Sequence, residues 1–124
     1  MIDKIINVIT NYDGNISETE LYPMHDSAKS FYGKAYVKEF LKNDTIISCL
    51  YSYKTLVCVV IDKKDSKQYI LNTNINTDLL FSNTTLRHVK EFLLQKIPVL
   101  RLSHYIDGKI TKTDIIKNNQ KEFK

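Results

Sequence analysis

Glycine is scarce, with three residues in 124. A Walker A loop, a dinucleotide-binding G-x-G-x-x-G turn and a G-x-S-x-G nucleophile elbow all need clustered glycines. None of these patterns occurs. Cysteine is equally sparse. Cys49 and Cys58 have no further Cys and no His in ligand spacing, so they make a poor zinc set. In a reducing cytosol they read as small buried hydrophobes, with a redox or metal pair as the weaker alternative. The three histidines, His25, His88 and His104, stand far apart and outside any H-E-x-x-H spacing. No cofactor or metal is expected, and catalysis has little support.

Long apolar runs are missing too. Nothing approaches the ~18 apolar residues of a membrane span. The first twelve residues, MIDKIINVITNY, intersperse polar and apolar positions, unlike the unbroken apolar stretch of a signal peptide. The expected location is therefore the cytoplasm of the host cell. The N-x-[ST] matches at Asn15, Asn43 and Asn83 are then chance sequons.

What the chain does contain is ordinary globular material: 43% apolar and 26% charged residues, enough for one domain with its own core. Lysine outnumbers arginine sixteen to two, and Ile and Asn abound while Ala is rare, a bias that fits AT-rich codons. It points to a low-GC bacterium or one of its mobile elements. The net charge of +4 is unevenly placed. Residues 1–31 carry −3, residues 32–108 carry +4 and residues 109–124 carry +3. A basic body and tail favour an anionic partner, either nucleic acid or an acidic protein surface. Because the excess is lysine, nucleic-acid contact would be directed to the backbone. A soluble protein of high pI with no such partner is the plainer reading.

Ile2, Ile5, Ile6 and Ile9 follow the spacing of an amphipathic helix, which Asp13-Gly14 ends. Residues 15–33 are mixed. Pro23 bars a long helix there, and Asp26 could cap a short turn ending at Gly33. Four strands are expected at 34–41, 45–51, 55–62 and 67–73, with turns at 42–44, 52–55 and 63–66. Folding the middle pair about Tyr53-Lys54 sets Ile47, Cys49 and Tyr51 opposite Leu56, Cys58 and Val60. That face is the better core, and the sheet is expected to be covered on one side. A polar loop at 74–82 leads to a helix over 83–96, stopped by Pro98. VLRLSHYI reads as a short strand, Asp107-Gly108 as a turn, and 112–123 as a weak helix or frayed tail. The expected fold is α+β: an antiparallel meander of about four strands with one helix on a face and an additional N-terminal helix. It forms a single domain, 1–124, comprising helix and acidic lead-in (1–31), sheet-plus-helix core (32–108) and basic tail (109–124).

On a helical wheel Leu86, Val89, Leu93 and Ile97 form the apolar stripe of the 83–96 helix, with Phe92 and Thr85 on its shoulder. Thr84, Arg87, His88 and Glu91 gather on the far side, expected to face solvent. Ser82 is a good N-cap, and Thr84 and Thr85 lie where backbone N–H groups lack partners. The cluster reads either as local capping or as a seat for an anion or partner. Tyr53, at a hairpin tip, is a candidate anchor.

Three ordered stretches carry a resemblance: SFYGKAYVKE at 30–39, LYSYKTLVCVV at 50–60 and FSNTTLRHVKEFL at 81–93. They resemble a family of small uncharacterised proteins from phages, plasmids and integrated elements of low-GC Gram-positive bacteria. Its pattern falls here on Tyr51, Ser52, Tyr53, Thr55, Ser82, Thr84, Thr85, Arg87 and His88. Cys58 stands where those relatives keep a small residue. The resemblance implies mobile-element company, in which small proteins counter host defences. The expected function is a non-catalytic inhibitor of a defence nucleoprotein, most concretely an anti-CRISPR protein binding the Cas9 of a type II-A system. Its expected partner-binding residues are Tyr53, Ser82, Thr84, Thr85, Arg87, His88 and Glu91. A DNA- or RNA-binding accessory factor is the alternative, and a small phosphoester enzyme with His88 as general base is a third. The protein is expected to be a monomer or a homodimer.

Overall fold

The period-2 alternation of Val, Ile, Tyr and Thr after residue 34 produces a hairpin meander, and the remaining elements are built on it. A computed structural model describes residues 2–12, 14, 16–24, 33–98, 100 and 112–123. Helix α1 (Ile2–Thr10) precedes β1 (Ser17–Glu20), β2 (Ala35–Lys42), β3 (Thr45–Ser52), β4 (Thr55–Lys63) and β5 (Ser66–Leu71). Helices α2 (Thr77–Leu80), α3 (Asn83–Lys96) and α4 (Lys112–Lys117) follow, then β6 (Gln120–Phe123). All six strands join one antiparallel sheet in sequence order. The expected turn at Asp26, the Asp107-Gly108 turn, His25 and His104 lie outside the described residues, as does the strand expected in 99–106 except for Leu100, which is helical and buried in the core rather than in a strand. No helix among the described residues is long and apolar enough to cross a membrane.

The α+β class and the antiparallel sheet agree with expectation, but the sheet has six strands rather than four. Both additions are edge strands with little apolar content, Ser-Glu-Thr-Glu and Gln-Lys-Glu-Phe. Strand propensity cannot reveal them, because their ladders with β2 and β5 hold them. Charged, short edges of this kind discourage pairing with other chains. Within the tail, residues 112–123 are thus a short helix and an edge strand. Tyr69 donates its hydroxyl to the Asn118 carbonyl at 2.6 Å, and Leu71 N–H donates to the Asn119 carbonyl at 2.8 Å.

Helices cover both faces, which corrects the expectation of one covered side. On one face Ile2 and Ile5 of α1 pack against Phe40, Ile47, Cys49, Val59 and Ile70. On the other, Leu86, Val89, Phe92 and Leu93 of α3 pack against Ala35, Val37, Leu50, Val60 and Leu71, with Ile115 of α4 beside them. The loop expected at 74–82 contains the single turn of α2, capped by Asn76, whose side chain accepts from Asp78 N–H at 2.7 Å.

The register of the central hairpin also differs. Tyr51 pairs with Leu56 as expected, but Leu50 pairs with Cys58 and Cys49 with Val59. Val57 is the extra residue of a β-bulge, which turns both Val57 and Cys58 toward α3. Cys49 therefore faces α1 and Cys58 faces α3, so the thiols are not opposite one another. Burial pushes the Cys49 thiol up to about 12, and burial raises Cys58 as well. Both are free and inert as nucleophiles at neutral pH.

A polar group closes the C-terminal end of α3 onto the sheet. Glu39 Oε2 accepts from Lys96 Nζ at 2.7 Å and from Ser48 Oγ at 2.7 Å. Partial burial would raise the Glu39 carboxyl, but the hydrogen bonds from Lys96 and Ser48 and the Lys96 charge hold it below its ordinary value. A depressed native pKa contributes stability above the ordinary carboxylate range, and this is lost as pH falls through the native value. Glu39→Gln should cost about 1 kcal/mol at pH 7, a modest figure because solvent reaches the pair. Urea unfolding across pH should show this difference shrinking in acid and unchanged above neutrality.

Candidate partner-binding site

The hairpin tip and the start of α3 come together, although about thirty residues separate them in sequence. The link is a buried hydrogen bond of 2.7 Å between Ser52 Oγ and His88 Nδ1. Ser52, next to the turn on β3, shares its sheet face with Ser48 and Leu50, directly under the helix. Neither partner is open to solvent: Ser52 is 1% and His88 0% exposed. In the Nε2–H tautomer the hydroxyl donates to Nδ1; in the other, the ring donates to the hydroxyl.

This placement corrects the expected solvated far face of α3. His88 and Glu91 are buried, while Arg87 is exposed and Thr84 half-buried. His88 is turned to Ser52 and Tyr53 of the hairpin, and the chain following β1 lies against the Glu91 side of the helix. Leu21 is in the core on the α3 side, and Gln95 Nε2 donates both to the Tyr22 carbonyl and to Glu91 Oε2, each at 2.8 Å. Residues 21–22 therefore run against a flank of α3 that a helical wheel leaves open. The Glu91–Gln95 spacing of four was a readable signal for part of this contact.

At the helix start, capping uses much of the polar inventory. Ser82 Oγ accepts from Thr85 N–H at 3.2 Å and donates to Thr85 Oγ1 at 2.9 Å. Ser82 is the N-cap and half-buried, and Thr85 is wholly buried. Of the seven residues singled out in the sequence, Tyr53 and Arg87 are the exposed ones.

Tyr53 is held there at a conformational cost. Tyr53 and Lys54 form the two-residue turn with φ of 50° and 69°. The neighbouring hairpin turns through Asn43 and Asp44 with φ of 50° and 63°, using residue types that tolerate the left-handed region. Tyrosine and lysine at such positions are uncommon. Tyr53 N–H donates to the Lys34 carbonyl at 2.8 Å, and its ring lies 6.0 Å from the His88 ring, centroid to centroid. An aromatic that is 49% exposed thus sits on a strained turn, backed by a buried Ser–His pair. Strain of this kind marks candidate binding positions. Among the described residues no group of three or more His, Cys, Asp or Glu is placed to hold a metal ion.

Two measurements probe this arrangement. A double-mutant cycle on Ser52→Ala and His88→Ala, followed by chemical unfolding, should give single-variant losses of about 1–3 kcal/mol. Their coupling should be about 1 kcal/mol; additive losses would mean that the contact contributes nothing. Replacing Tyr53-Lys54 by Asn-Gly should stabilise the protein by about 1 kcal/mol in thermal unfolding, because that pair suits a turn with both φ positive.

No curated protein matches the chain, and no solved structure matches it. A family of unknown function, DUF8033, matches residues 19–113, which span β2 to β5 and the whole of α3. With more than half of its length matched, the chain belongs to the DUF8033 family.

Proposed function

We propose that this protein is a non-catalytic inhibitor, encoded by a mobile element, that binds a bacterial defence nucleoprotein. The most concrete target is the Cas9 effector of a type II-A CRISPR system. The observation that carries a binding role is the exposed Tyr53, held on a left-handed turn over the buried Ser52–His88 pair. Tyrosine and arginine are the residue types most enriched among binding hot spots, and Arg87 is exposed on the helix that this turn abuts. The choice of target follows from the resemblance of the three motifs to proteins of phages and plasmids.

In this reading the seven residues divide by role. Tyr53 and Arg87 meet the partner, with Thr84 beside them. Ser82, Thr85, His88 and Glu91 position the helix and the turn. Protein is favoured over phosphate at this surface, because Ser82 and the Thr85 amide are already bonded to each other and the Thr85 hydroxyl faces inward. The burial of Ser52 and His88 also argues against the pair acting as nucleophile and base, since a substrate would have to displace the fold to reach it.

The test is a DNA-cleavage assay with a type II-A Cas9–guide complex. Stoichiometric amounts of the protein should stop cleavage, and substoichiometric amounts should not. Tyr53→Ala and Arg87→Ala should each weaken binding by roughly tenfold or more. Both should leave thermal stability within about 0.5 kcal/mol of the parent, as expected of exposed positions. Undiminished cleavage at large excess would reject the target. Unaltered binding by both folded variants would reject the surface.

A further inference from the structure

On the opposite face of the sheet from α3 lies a groove of about 340 Å³ lined by Glu18, Tyr36, Lys38, Tyr51 and Lys54. It follows directly from the register. Tyr36 of β2 pairs with Tyr51 of β3, Lys38 pairs with Glu18 of β1, and Lys54 is the second residue of the hairpin turn. The apolar contact of α1 reaches Phe40 and Cys49, while Tyr36 and Tyr51 are both half-buried. Two tyrosines therefore stand side by side on an incompletely covered sheet, with one flank of Tyr51 packed on the α1 core. The Lys38 ammonium lies 4.9 Å from the centre of the Tyr51 ring, a cation–π contact on that ring made by a flexible side chain.

We propose that this groove binds one nucleotide unit of a single-stranded nucleic acid. The base stacks on the tyrosine pair, displacing the flexible Lys38 side chain from the Tyr51 ring. Lys38 and Lys54 then take the flanking phosphates, and Glu18 accepts a hydrogen bond from an amino group on the base edge. Each element has a physical ground. Aromatic side chains on a sheet offer a π-face that any base can use, and lysines beside them neutralise the backbone. A carboxylate among those lysines is unfavourable for phosphate alone, but it suits the exocyclic amino group of cytosine. Burial raises the Tyr51 phenol, assisted by Cys49 and Glu18, so the ring stays neutral at physiological pH and does not repel phosphate. The site lies across the sheet from Tyr53 and Arg87 and stands whether or not that surface binds protein.

The experiment uses the full chain and fluorescence anisotropy with labelled homopolymeric DNA and RNA oligonucleotides, a duplex and free mononucleotides. Single strands should bind, oligo-cytidine better than oligo-thymidine or oligo-uridine. The log–log salt slope should be shallow, roughly −0.7 for each phosphate neutralised. Tyr36→Ser and Tyr51→Leu should each lose roughly tenfold or more, whereas Tyr36→Phe and Tyr51→Phe should retain binding. That contrast separates stacking from misfolding. Lys54→Ala should flatten the salt slope, and Glu18→Ala, which removes the acceptor, should abolish the preference for cytidine while leaving the slope unchanged. Duplex or free nucleotide binding as tightly as single strands would overturn the assignment to a strand. Absence of binding, or binding indifferent to both non-aromatic substitutions, would overturn the site.

Discussion

The hydrogen bond between Ser52 and His88 joins the two parts of the molecule on which the functional reading depends. At 2.7 Å, between two groups that water does not reach, it ties the tip of the central hairpin to the first turns of the long helix. Leaving either group unpaired would cost the full desolvation of a buried polar atom. A second polar lock, Glu39 with Ser48 and Lys96, works toward the other end of the same helix. Both serines come from one face of β3, four residues apart, with Leu50 between them. Helix α3 is thus fixed on the sheet at both ends by hydrogen bonds and in the middle by apolar packing.

This arrangement explains which parts of the fold were legible in the sequence. The four central strands, their turns and the bounds of α3 carry local signals: alternation, turn chemistry and a Ser cap. The edge strands do not, because Ser-Glu-Thr-Glu becomes a strand only by pairing with β2. The bulge at Val57 was equally hidden. It shifts the register by one residue, and with period-2 side chains that separates Cys49 from Cys58 onto opposite faces. A sheet covered on both faces also blurs the alternation, since β3 and β4 each bury runs of four consecutive residues.

The candidate site was legible as a set of residues but not as a surface. The sequence pattern singled out Tyr53, Arg87, His88 and Glu91, and the fold brings Tyr53 and His88 together while burying His88 and Glu91. A helical wheel assumes that whatever is not turned to the sheet is turned to water. Here residues 21–22 break that assumption through Gln95 and Leu21. The Tyr36–Tyr51 pair was invisible for another reason. Fifteen positions separate them, and only the hairpin register sets them side by side.

The proposed role, binding a bacterial defence protein, can be tested directly. The most direct measurement is recovery of the tagged chain from bacterial cells that carry a type II-A CRISPR system, with and without nuclease treatment, followed by mass spectrometry. The account predicts one dominant protein partner, a CRISPR effector, retained after nuclease and released by the Arg87→Ala variant. Loss of every partner on nuclease treatment, with salt-sensitive binding to bare nucleic acid remaining, would contradict it and leave the lysine-flanked tyrosine groove as the working surface.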